Sequence, residues 1–111
     1  MFSKQRFSLL RRQSRRWHNA AGSKFRSSEI TIRSTNLDEK MQEVVKEIAK
    51  RALSRSSSEN EVASIIKKYF DEITGSCWHC IVGRNFGSHV ECTLHAHLIY
   101  SRIAIVLYKT D

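Results

Sequence analysis

Four residues pose the first chemical question. Cys77-Trp78-His79-Cys80 is a Cys-x-x-Cys pair, and after eleven intervening residues Cys92-Thr93-Leu94-His95 sets a cysteine three residues from a histidine. Three thiolates and an imidazole can make a tetrahedral zinc set, so one reading is a zinc- or thiol-dependent site at Cys77, Cys80, Cys92 and His95. Against it, Cys80 runs straight into Ile81-Val82, and ligands three apart on a strand point to opposite faces. Reduced structural thiols are the other use of such residues. A redox pair would need a helix N-terminus to lower one thiol's pKa, whereas the residues after Cys80 read as strand. His18, His79, His89, His95 and His97 come with no nucleophile elbow or partner carboxylate, and Arg84-Asn85-Phe86-Gly87 lacks the glycine spacing of a phosphate loop. The expectation is therefore no enzyme and no cofactor.

A different chemistry follows from small residues among strand formers. Gly87 and Ser88 let another backbone approach closely, and an open strand edge there invites an extended peptide, main-chain hydrogen bonds supplying affinity and flanking pockets selectivity. The alternative is an edge covered by loops or a partner. Trp78, between two cysteines, reads as core. His79 reads as a strand histidine, of interest at a subunit contact, where protonation would pair positive charges.

The elements that position these residues are legible in the hydropathy pattern. Ile30-Thr31-Ile32-Arg33 alternates as a short strand. Asn36 or Asp38 can cap a following helix whose stripe is Met41, Val44, Val45, Ile48, Ala49, Ala52 and Leu53. Ser54–Ser58 breaks the pattern, and Ser58-Glu59-Asn60-Glu61 has capping-box spacing. The next stripe is Val62, Ile65, Ile66, Tyr69, Phe70 and Ile73, stopped at Gly75. From Cys77 the period changes to strands around 77–82, 86–90, 97–100 and 103–108, with a tight turn at Ser101-Arg102. The order is β-α-α-β-β-β-β, an α+β fold of two antiparallel helices on an antiparallel sheet.

The 111 residues are one domain's worth of material, and their net charge of +8 sits in one place. Residues 1–28 carry Lys4, Arg6, Arg11, Arg12, Arg15, Arg16, Lys24 and Arg26 and no acid, whereas residues 29–111 balance eleven Lys or Arg with eleven Asp or Glu. The basic extension reads as a disordered arm, as an organelle-targeting leader, or as an arm for nucleic acid or acidic lipid; the neutral body argues against a nucleic-acid-binding domain. The longest apolar run, Ile103–Tyr108, is far short of the roughly 18 residues of a membrane span, and no export signal precedes the odd number of cysteines, so reduced thiols in an intracellular compartment are expected.

Ile66-Lys67-Lys68-Tyr69-Phe70-Asp71 and the eleven-residue run Trp78–Ser88 closely resemble the small cytoplasmic dynein light chain family, the roughly eight-kilodalton class. The likeness covers about residues 30–109, including Leu37-Asp38-Glu39-Lys40-Met41-Gln42 and His97-Leu98-Ile99-Tyr100. It implies a cytoplasmic, cytoskeleton-associated, non-catalytic homodimer that exchanges the strand around Phe86–Cys92 between subunits. Two grooves would bind short linear peptides as added strands, including one in the dynein intermediate chain, without a small-molecule substrate or membrane. By position, Asn85, Phe86, Gly87, Ser88, His89, Val90, Glu91 and Cys92 would form the peptide-pairing strand. Glu59 and Asn60 would receive the target's central polar side chain, and Tyr100, Ala104 and Val106 would line the floor. His79, Phe86, Ser88 and His89 would lie at the dimer contact. The chain departs from the family's pattern at Asn60 (usually lysine), His89 (tyrosine) and Glu91-Cys92 (Thr-His), and its hairpin at Tyr100-Ser101-Arg102 is about three residues shorter.

Overall fold

The computed structural model describes residues 30–111; the readings of residues 1–28 fall outside them. Strand β1 (Ile30–Thr35) is followed by helices α1 (Glu39–Arg55) and α2 (Glu59–Thr74), then by strands β2 (His79–Gly83), β3 (Leu94–Tyr100) and β4 (Ile103–Lys109). The strands form one antiparallel sheet in the order β1-β3-β4-β2. Both helices pack on one face of it, the expected α+β class.

Local chemistry explains where each helix begins and ends. Of the two cap candidates, Asp38 caps α1, its Oδ1 accepting from the Met41 amide at 2.9 Å. Asn36 instead extends the β1–β3 pairing: its Nδ2 donates to the Thr93 carbonyl at 2.9 Å and its Oδ1 accepts from the His95 amide at 2.8 Å. Ser58 caps α2 through the Glu61 amide at 3.4 Å. The reciprocal half of that capping box is rerouted, because Glu61 takes the hydroxyl of Ser56 at 2.7 Å while Ser56 Oγ accepts from the Ser58 amide at 3.0 Å. Gly75 ends α2 with φ of 72°, a left-handed conformation that glycine adopts without a Cβ penalty.

The core lies between the helices and the inner face of the sheet. Val45, Ile48, Ala49 and Ala52 of α1 and Val62, Ile66 and Phe70 of α2 are buried against Ile30, Ala96, Leu98, Ile105 and Leu107. Trp78 joins them as expected. Its ring meets Phe70 edge-on with centroids 5.0 Å apart, and its indole N–H donates to Thr74 Oγ1 at 2.8 Å. Its backbone amide donates to Asp71 Oδ1 at 2.7 Å. These bonds pin the start of β2 to the end of α2.

One expected strand is missing among the described residues. Phe86–Val90 lies in a stretch without secondary structure that runs from Phe86 to Cys92. A β-strand exists only where a neighbour accepts its hydrogen bonds, and this segment finds none among the described residues. Strand β2 also starts at His79 instead of Cys77, and β3 starts at Leu94, three residues before the expected His97.

Candidate interaction surface

Residue alternation gives the sheet a second face, which neither helix covers. The register aligns His79 with Tyr108 and His95, Ile81 with Val106 and His97, and Gly83 with Ala104 and Ile99. Three such rungs across β2, β4 and β3 make up the outer face, completed by Thr31 and Ser34 of β1. The face is partly apolar, and Ile81 is 38% exposed at its rim. His79 is exposed and its ring lies 5.2 Å from that of Tyr108.

Strand β2 is also an edge of the sheet, so alternate residues turn their backbone N–H and C=O groups outward. The chain leaves this edge through Arg84 and Asn85, whose φ of 52° turns it into the segment Phe86–Cys92. Phe86, Gly87, Ser88, His89 and Glu91 are exposed, and Val90 and Cys92 half-buried. The Phe86 ring folds back over Gly83, where a Cβ would stand 3.3 Å from it. Gly87 has open space on its Cβ side. Glu59, at the first turn of α2, pairs with Arg84 at 3.8 Å, which sets the helix start, with the exposed Asn60, beside the end of β2. An exposed pair of this length adds little stability; its value here is that it locates Glu59.

Not every expected site residue falls together. Ala104 and Val106 share the uncovered face, but Tyr100 pairs with Ile103 on the opposite side and packs against the core. The β3 residues on the uncovered face are instead His95, His97 and Ile99. Their signal was the alternation of Leu94–Tyr100, which becomes visible once the strand is begun at Leu94. The zinc reading fails on placement. Cys77 is exposed before β2, Cys80 packs inward against the core, and His95 Nε2 lies 3.3 Å from Ser34 Oγ. Among the described residues no group of three His, Cys, Asp or Glu could hold a metal ion. Burial pushes the Cys80 thiol up to about 12, away from the thiolate a metal requires.

A strand-edged, helix-backed sheet with one bare face is an architecture for pairing with other chains. The dynein light chain type 1 family matches residues 29–110, and the chain belongs to that family. A cytoplasmic dynein light chain of Emericella nidulans is 41% identical over 86 residues, spanning 75% of this chain and 90% of the relative. Among solved structures, the dynein light chain-like domain of the Fasciola hepatica calcium binding protein FhCaBP2 superposes with a TM-score of 0.66 at 25% identity, covering 79% of this chain and 98% of that one. The corresponding domain of CsTAL3 shares the fold, with a TM-score of 0.62 at 17% identity over 74% and 93% of the two chains. Family membership supports a dynein accessory role.

Proposed function

We propose that the chain is a non-catalytic homodimeric light chain that binds short linear peptides by strand addition, the dynein intermediate chain among its targets. Its place would be the cytoplasm, on the microtubule motor, in keeping with the naming of its Emericella relative. The observation that carries this reading is the unpaired segment Phe86–Cys92 leaving an open edge strand beside a bare sheet face. Exchange of that segment would give each β2 a neighbour from the second copy and leave the segment's other side for a peptide. Residues Asn85–Cys92 would supply the pairing backbone, Glu59 and Asn60 would meet a polar side chain at one end, and Ala104 and Val106 would form part of the floor. His79, Phe86, Ser88 and His89 would lie at the contact between copies. Function is assigned to residues 29–111, with residues 1–28 as an appended basic arm or a removable leader; N-terminal sequencing of protein from its own cells separates those two.

Sedimentation at micromolar concentration tests the assembly: twice the chain mass is expected, and a monomer overturns it. A native pull-down with the dynein intermediate chain tests binding. The Gly87→Trp variant, which has room in the single chain, should lose capture while remaining folded. Equal capture by both proteins would overturn strand addition at this segment.

A further inference from the structure

The outer face carries a charge pattern that the dimer reading leaves unused. None of the four strands contains an aspartate or glutamate, whereas Arg33, His79, His95 and His97 all stand on them. Three of these gather at one end. The register of β1 and β3 slips between Ile32 and Ser34, so Arg33 and Ser34 together oppose the single residue His97. His95 is two residues along β3 from His97, on the same face, with its Nε2 3.3 Å from Ser34 Oγ.

The His97 ring is incomplete. Its Nε2 is buried and has no hydrogen-bond partner among the described residues, an arrangement that is penalised until something arrives to complete it. Native structures leave few such atoms unsatisfied. The charged groups acting on His97 are Arg33 from β1 and His95 from its own strand, while β4 offers it Val106. Both charged neighbours, together with burial, hold the imidazole below its ordinary range. Nε2 is closed to solvent in this rotamer, so a group from outside meets Arg33 and His95 first; to offset these charges it must carry negative charge, and it reaches the ring once His97 turns towards it.

We propose that Arg33, His95 and His97 form a subsite for a carboxylate side chain, aspartate or glutamate, of the bound peptide. This rests on the chain being a peptide binder and adds the chemistry of one position in the target. A carboxylate there gains charge-assisted hydrogen bonds. It also favours the imidazolium form of His97, so binding takes up a proton. Preference for the acidic side chain therefore grows as pH falls towards the histidine range and fades above it.

The test is selection of a random dodecapeptide display library on the full-length chain. One enriched peptide and its twin, with the acid replaced by the matching amide, are then compared by fluorescence anisotropy. We expect one acidic position to recur, and the amide twin to bind about tenfold more weakly at about pH 6, with the gap narrowing towards about pH 8. In His97→Phe the ratio between the twins should collapse towards one. Arg33→Gln, at an exposed position, should reduce the same ratio and keeps the test decisive if the His97→Phe variant folds poorly. Peptides enriched without an acidic position, or a ratio unchanged in both variants, would overturn the subsite while peptide binding stood. No enriched peptide at all would overturn peptide binding, and the subsite with it.

Discussion

Two residues show how the same side-chain chemistry diverges with placement. Cys77 is exposed and lies 3.9 Å from the Lys67 ammonium, whereas Cys80 is turned into the core and its thiol is pushed up to about 12. Iodoacetamide should therefore alkylate Cys77 in the native protein and reach Cys80 only after denaturation, as peptide mass mapping would record. His97 gives a pH-dependent counterpart. The folded chain resists its proton through burial, Arg33 and His95, while the unfolded chain accepts it near the ordinary 6.5. Stability from this group is unpenalised above that value. It falls as pH drops through it, because the unfolded state then binds a proton that the folded state refuses. Thermal melts at fixed protein concentration should show a smaller acid-induced loss in His97→Phe than in the parent. The sequence anticipated an inward, structural Cys80 but not the exposure of Cys77, and it put Tyr100 on the wrong face of the sheet. Tyr100 looked like a groove aromatic, yet the pleat turns it to the helices and turns His95, His97 and Ile99 outward.

At the level of elements, legibility followed the range of the interaction. Helix stripes, the Ser58 cap and the Gly75 stop depend on residues within a few positions, and all three are where the pattern puts them. Asn36 was ambiguous because it could cap the helix or join the sheet and the long-range role won, while Glu61 turned to Ser56, five residues away, instead of to the Ser58 amide. The junction between α2 and β2 was invisible in the pattern, since it hangs on one hydroxyl. Thr74 Oγ1 donates to the Phe70 carbonyl at 2.7 Å and accepts from both the Ser76 amide at 3.1 Å and the Trp78 indole at 2.8 Å. Thr74→Val keeps the volume and removes all three bonds, leaving a buried indole N–H without an acceptor. A loss of about 1–3 kcal/mol in denaturant melts is expected, against a near-neutral Thr74→Ser.

For the whole molecule, the proposed dimer would account for both the missing strand and the bare face. A sequence pattern can mark Phe86–Val90 as strand-forming, but pairing requires a neighbour, and the chain's own edges are β1 and β2. In the proposed dimer the strand's completion would come from a second chain, which no reading of one sequence supplies. Apolar and histidine side chains on the uncovered face would gain from the same event, since burying the remaining 38% of Ile81 is worth about 0.5–1 kcal/mol, its share of the value of full burial. His79 stands at the β2 edge of that face, packed against the Tyr108 ring and otherwise open. A lysine there would set a fixed positive charge beside an apolar surface. In a symmetric contact it would bring two such charges into proximity, at a desolvation cost that no partner offsets. Within one chain the substitution has little to disturb. His79→Lys should then leave the far-ultraviolet circular dichroism unchanged while shifting sedimentation from two chains to one. A dimer that survives the substitution would mean that the copies meet through some other surface.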